Sequence, residues 1–147
     1  MTTSRRRARR YALDTLYEAE IRDMLPLEAF SERQKMGWSN DGGEASGEEQ
    51  PGVEVLDYAR HLVAGVQEHH ADLDVLIVRY ADRWAIERMP VIDRSLLRMA
   101  LFELLWGDDI PVAVAINEAV ELAKSLSTED SGRFVNGLLG KIAEQEL

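Results

Sequence analysis

The segment 109–124, DIPVAVAINEAVELAK, has the pattern of an amphipathic α-helix. Its apolar residues recur at intervals of three and four, which is the spacing of one helical face. They are Ala115, Ile116, Ala119, Val120 and Ala123. Pro111 suits the first turn of such a helix, because a backbone N–H has no helical partner there. The segment therefore predicts a helix that buries its alanine-rich side.

The same periodicity continues on both sides of this segment and predicts about seven helices. The others are expected over 4–24, 27–36 and 53–69, after a cap at Asp72, from Pro90 to Gly107, and after a cap at Ser127, Thr128 or Asp130. No segment alternates apolar and polar residues with a period of two, so no sheet is expected. The fold class is therefore all-α, a compact bundle of about seven helices.

The length of 147 residues suits one domain, and we expect residues 1–147 to form it. Residues 37–52 hold five glycines and four acidic side chains, which predicts an acidic loop within that domain. No apolar run approaches the roughly 20 residues that cross a bilayer. The absence of cysteine excludes disulfides, thiolate metal sites and thiol catalysis, and it fits a cytoplasmic protein.

The motifs of common enzymes are missing from the sequence. There is no glycine-rich phosphate loop, dinucleotide fingerprint or nucleophile elbow. The three histidines, His61, His69 and His70, do not have the four-residue spacing of a helical metal site. We therefore expect no enzyme, no catalytic residue, no metal and no cofactor.

The strongest chemical signal is a run of five arginines: Arg5, Arg6, Arg7, Arg9 and Arg10. The remaining 137 residues hold 12 basic and 27 acidic side chains, so a basic end precedes an acidic body. On a helix these arginines spread over roughly 200°, and Ala8 and Ala12 occupy the remaining side. The planar guanidinium group binds phosphate through two oxygens, which favours a polyanion as ligand. Composition alone does not separate RNA from DNA, or either from a solubilising tail.

A second polar group lies near the start of the last predicted helix. Asp130, Arg133 and Phe134 can form a small platform on which an exposed aromatic ring, beside a cation, accepts a stacked base. Helix capping is the structural alternative for polar residues in this part of the chain, such as Asn117 and Glu118.

Several segments together resemble the NusB family of bacterial transcription antitermination factors. They are 109–124, 129–137 (EDSGRFVNG), 5–9 with Leu16 and Tyr17, and 93–104 (DRSLLRMALFEL). The resemblance covers nearly the whole chain except residues 37–52.

This resemblance implies a protein that binds the boxA RNA of nascent ribosomal RNA transcripts together with the ribosomal protein NusE. The pair then joins RNA polymerase and the other Nus factors. By motif position, the arginine run and the group Asp130, Arg133 and Phe134 would contact RNA, with Arg10 extending the family's run by one. Tyr17, Ile21, Glu87 and Asp93 would face the protein partner. An acidic surface fits a basic partner, because complementary charge steers association.

Two alternatives remain at this point. A NusB-like domain also forms the RNA-binding part of some ribosomal RNA cytosine methyltransferases. Some family members form homodimers, which would bury the arginine-bearing surface and give the protein a structural role.

Overall fold

The computed structural model describes residues 4–38, 50–82, 84–107 and 109–147. Within these ranges the chain forms seven α-helices and one 3₁₀ turn, with no strand. The helices are α1 (Ser4–Arg22), α2 (Pro26–Met36), α3 (Val53–Glu68), α4 (His70–Tyr80), α5 (Val91–Trp106), α6 (Val112–Leu126) and α7 (Glu129–Glu146), and the 3₁₀ turn is Ile86–Arg88. The predicted all-α class is confirmed.

The helix ends lie close to the predicted signals, but Pro90 and Pro111 are the N-caps of α5 and α6 and not residues of their first turns. Thr128 is the N-cap of α7, where its hydroxyl accepts a hydrogen bond of 3.0 Å from the backbone N–H of Ser131. Gly107 follows the last residue of α5, as predicted. The prediction that Asp72 caps α4 is wrong, because α4 begins at His70 and Asp72 lies in its first turn. There its carboxylate faces the positive end of the helix dipole, which is favourable without a capping hydrogen bond.

The chain divides into two compact units, Met1–Ala64 and Gly65–Leu147, and the boundary lies within α3. The expectation of one domain over 1–147 stays a prediction. Residues 39–49, most of the predicted acidic loop, lie outside the described residues.

The first unit is organised around an aromatic cluster beside α1 and α2. Trp38 is buried, and its ring lies 5.1 Å from that of Phe30 and 5.4 Å from that of Tyr11, centroid to centroid. The side chain of Gln50 binds both backbone groups of Trp38: its Oε1 accepts from the N–H at 2.7 Å, and its Nε2 donates to the carbonyl at 3.2 Å. Gly37, with φ +92°, allows the sharp turn between α2 and Trp38.

An ion-pair network joins α1 to α2 in the same unit. Arg22 and Arg33 each donate to the carboxylate of Glu18 at 2.8 Å. Burial alone would raise the pKa of Glu18, but the hydrogen bonds and the positive charges of Arg22 and Arg33 together outweigh it and lower the pKa below its usual value. The network therefore favours the charged form of Glu18 in the folded protein.

In the second unit α5 is the central helix, in contact with α4, α6 and α7. Every residue from 95 to 103 is buried, including Arg98. The guanidinium group of Arg98 binds Asp74 on α4 through two hydrogen bonds, of 2.8 and 3.3 Å. Gly65 admits the ring of Phe102, because a Cβ atom at Gly65 would lie 2.1 Å from its Cζ atom. No helix in the described ranges is long and apolar enough to span a membrane.

Candidate nucleic-acid interface

The first two turns of α1 place most of the arginine run at the surface. Arg5, Arg6 and Arg7 are exposed, and Arg10 is partly exposed. Ala8 and Ala12 are fully buried, as the helical pattern predicts for the docking side.

Arg9 differs from the rest of the run. Its exposed fraction is 4 %, so it lies on the buried side of α1 together with Ala8. The helical period explains this position, because Arg9 is one residue from Ala8 and three from Ala12. The surface that α1 offers to a ligand is therefore formed by Arg5, Arg6, Arg7 and Arg10, which we name the arginine turn.

Weak local contacts orient the arginine turn. The guanidinium carbon of Arg5 lies 4.6 Å from the ring centroid of Tyr58 on α3, a cation–π contact. The Nε atom of Arg10 lies 3.7 Å from the carboxylate of Asp14, one turn further along α1. The cation–π contact of the exposed Arg5 contributes only about 0.5–1 kcal/mol, so a phosphate can replace it at little cost, whereas the Nε atom of Arg10 is buried.

The second predicted group lies at the start of α7, in the second unit. Asp130 and Arg133 are exposed and form an ion pair with each other. Phe134 is half-buried, and its ring centroid lies 5.8 Å from that of Trp84, with 44° between the ring planes. The arginine turn belongs to the first unit, so the two predicted RNA-binding groups lie in different units.

An open groove of about 1010 Å³ runs beside Arg133 and Phe134. Trp84, Tyr80 and Lys141 also line it, and Trp84 is 52 % exposed. These three residues were not predicted from the sequence to belong to a site. The sequence does single out Trp84 in one respect. It lies beyond the last apolar position of α4, so helical periodicity does not require this large apolar side chain in the core.

The four residues expected to face a protein partner differ in their exposure to solvent. Tyr17 and Ile21 lie one turn apart on α1, with 42 % and 58 % of their surface exposed. Glu87 is exposed in the 3₁₀ turn. Asp93 is only 4 % exposed, in the first turn of α5.

Asp93 makes a buried contact between α5 and α7. Its Oδ2 atom accepts a hydrogen bond of 2.8 Å from the hydroxyl of Ser131, and its Oδ1 atom is buried without a hydrogen-bond partner. The Ser131 hydroxyl also lies 2.9 Å from that of Ser127 and 3.2 Å from that of Thr128. Through this contact Asp93 supports the beginning of α7. Its role toward a protein partner stays a prediction.

These features define an all-α protein with surfaces of the kind that bind nucleic acid, an arginine turn and an aromatic groove with basic side chains. In the described residues, no group of histidine and acidic side chains is arranged to hold a metal ion.

Comparison with known proteins places the chain within that class. The NusB family model matches residues 6–144, so the chain belongs to the NusB family. It is 48 % identical over 141 residues to the transcription antitermination protein NusB of Salinispora arenicola, covering 96 % of each sequence. It resembles a structure of NusB from T. maritima with a TM-score of 0.80 and 36 % identity, over 99 % of this chain and 94 % of that one.

A second solved structure contains binding partners. It is the crystal structure of the antitermination factors NusB and NusE in complex with dsRNA, matched with a TM-score of 0.77 and 27 % identity over 98 % of both chains.

Proposed function

We propose that this protein is a transcription antitermination factor that binds boxA-type RNA of nascent ribosomal RNA transcripts together with the ribosomal protein NusE. The pair would support the antitermination complex of RNA polymerase with the other Nus factors. The role is non-enzymatic and is exercised in the cytoplasm, where bacterial transcripts are made. Relatives that match this chain over almost their whole length are named as antitermination proteins, which supports this role over that of a methyltransferase domain.

The arginine turn is the observation that carries the RNA-binding part of the proposal. Arg5, Arg6 and Arg7 are exposed on consecutive positions of one helix, on a chain with a net charge of −10. At physiological salt the Debye length is about 8 Å, so acidic side chains far from the turn are largely screened. A phosphate chain at α1 therefore experiences mainly the charges near the turn, which are the arginines together with Asp14 beside Arg10 and Glu54 beside Ser4.

The partner surface is proposed to include Tyr17 and Ile21 on α1, and Glu87 in the 3₁₀ turn. Exposed apolar side chains one turn apart suit the centre of a protein contact, since their burial is favourable. The carboxylate of Glu87 suits a basic partner. The solved complex in which a NusB chain, NusE and RNA occur together supports this choice of partners.

A titration of labelled boxA RNA with this protein, with and without NusE, tests the proposal. We expect NusE to tighten RNA binding, and we expect log K to fall with log[salt] with a slope of about −2 to −3.5 if three to five phosphates are contacted. The same sequence should be offered as single-stranded and as double-stranded RNA. An unchanged RNA affinity on adding NusE would refute the cooperative model.

A charge-matched pair of variants locates the RNA surface. Replacing Arg5, Arg6 and Arg7 by Ala should weaken RNA binding at least about tenfold, and should reduce the salt slope by about 2. The control replaces Lys35, Arg60 and Arg79 by Ala, which removes the same charge from exposed positions on α2, α3 and α4. Equal losses in the two variants would show that net charge, and not the arginine turn, determines affinity.

A further inference from the structure

The groove beside α7 has a regular arrangement of side chains. Arg133, Gly137 and Lys141 follow one another at intervals of four residues, so they form one stripe along α7. The Cα atoms of Arg133 and Lys141 are therefore about 12 Å apart along the helix axis, with a glycine between them. A Cβ atom at Gly137 would meet nothing within 4 Å, so the space over this glycine is open.

One end of the groove carries an exposed aromatic surface. About half of Trp84 is exposed, and its ring is supported by Phe134 at 5.8 Å between centroids. A supported and half-exposed ring offers one face to a flat ligand, and nucleobases stack on such faces regardless of their sequence. Tyr80 is a further aromatic residue that lines the groove.

Each cation of the stripe is paired with an exposed carboxylate, and Lys141 also donates to the backbone carbonyl of Tyr80 at 3.4 Å. Arg133 pairs with Asp130, and Lys141 lies 3.5 Å from Asp82; the side chains of these acids are 86 % and 74 % exposed. Ion pairs between exposed side chains contribute little to stability, so a phosphate can displace the carboxylates. Two such cations next to an aromatic face match a nucleotide strand better than an apolar peptide.

We propose that this groove binds one base of single-stranded RNA, stacked on Trp84, with flanking phosphates bound by Arg133 and Lys141. The proposal rests on the RNA-binding function proposed above. It adds Trp84, Gly137 and Lys141 to the predicted RNA contacts at Arg133 and Phe134, and it gives Gly137 the role of keeping the base position open.

The decisive variant fills the groove without removing any contact. Gly137→Leu places a side chain in the open space, and Leu favours the helix more than Gly, so the variant should be at least as stable as the parent. Gly140→Leu is the matched control, because a Cβ atom there also meets nothing within 4 Å and Gly140 does not line the groove. We expect Gly137→Leu to weaken binding of single-stranded boxA RNA by about tenfold or more, and Gly140→Leu to change it less than about twofold.

A second pair of variants tests the stacking itself. Trp84→Ala should weaken RNA binding by about 5- to 150-fold, the range for loss of one base–aromatic stack, and Trp84→Phe should restore most of the affinity. RNA should quench the tryptophan fluorescence of the parent, and Trp84→Phe should lose most of that quenching. Trp38 is buried and Trp106 is 38 % exposed, so they provide the residual signal.

Removing the carboxylate that competes with RNA for Lys141 should raise the affinity for RNA. Asp82 has a left-handed backbone with φ +57°, which Asn also adopts readily, so Asp82→Asn should fold normally. Removing this exposed ion pair should raise RNA affinity by about 1.5- to 5-fold.

The outcomes separate this proposal from the function on which it rests. Parent protein that fails to bind boxA RNA, with or without NusE, would overturn both. Parent protein that binds, with Gly137→Leu and Trp84→Ala within twofold of it, would overturn the groove proposal and leave the function intact. Loss of NusE binding in Gly137→Leu in the absence of RNA would assign the groove to a protein and would also overturn it.

Discussion

Replacing Asp93 by Ala discriminates between the role that family resemblance implies for this residue and the role that its position indicates. As a partner-facing side chain, Asp93 would affect NusE binding and leave stability unchanged. As a buried residue, 4 % exposed and hydrogen-bonded to Ser131 at 2.8 Å, it should affect stability first. We expect Asp93→Ala to destabilise the protein and to leave NusE affinity within about twofold.

The expected destabilisation follows from the contacts of Asp93. A hydrogen bond to a charged group contributes about 1.5–3 kcal/mol, and an acidic residue in the first turn of a helix adds about 0.3–1 kcal/mol. In the parent protein, the buried Oδ1 atom without a hydrogen-bond partner offsets part of this gain. In the variant, the Ser131 hydroxyl can still bond to the hydroxyls of Ser127 and Thr128, which limits the loss. We therefore expect a loss of about 2 kcal/mol in the free energy of unfolding.

Urea unfolding followed by circular dichroism measures this loss. For a protein of this size, about 2 kcal/mol corresponds to a decrease of about 1 M in the urea midpoint and about 4–8 °C in Tm. Glu87→Ala is the control, because Glu87 is exposed and its loss should change stability by less than about 0.5 kcal/mol while it weakens NusE binding. Unchanged stability of Asp93→Ala together with a large loss of NusE affinity would refute the reasoning.

Three further perturbations test other contacts of the second unit. Gly65→Ala should destabilise the protein by about 1–3 kcal/mol in urea unfolding, because its Cβ would overlap the ring of Phe102; Phe102→Leu in the same chain should recover part of the loss. Thr128→Ala should cost about 1 kcal/mol and increase amide hydrogen exchange in the first turn of α7, since it removes the N-cap. The hydrogen bond to Glu146 raises the pKa of Tyr80, so the stability it adds is present below pH 10 and is lost as the pH rises through the raised pKa. In an absorbance titration at alkaline pH, Glu146→Gln should lower that pKa.

Helical periodicity and end signals predicted the helices well, because both are local properties of the chain. Thr128 and Gly107 lie at the predicted helix ends, and Ala8 and Ala12 lie on the predicted buried side of α1. The environment of α5 was less predictable. A stripe at Leu96 and Ala100 indicates one buried face, whereas residues 95–103 are buried all round, because α4, α6 and α7 pack on α5 and Gly65 of α3 lies against Phe102.

The candidate site shows the same limit. The arginine run and the group at Asp130 each lie within one short segment of the sequence, so each can be recognised before the fold is known. The contact of Trp84 with Phe134 joins residues fifty positions apart, and no local pattern encodes it. Burial of Asp93 depends on Ser131, which is distant in sequence, and motif position alone placed both Asp93 and Arg9 on surfaces.

The arginine turn and the groove should respond differently to salt, because they bind RNA by different physical interactions. Phosphate contacts at Arg5, Arg6 and Arg7 release counterions, so their loss should reduce both affinity and salt slope. Stacking on Trp84 releases none, so Trp84→Ala should lower RNA affinity at every salt concentration while the slope stays the same. Titrations of both variants between about 50 and 200 mM salt measure this difference. A slope that fell equally in both variants would mean that the groove acts only through its charges, with no base stacked on Trp84.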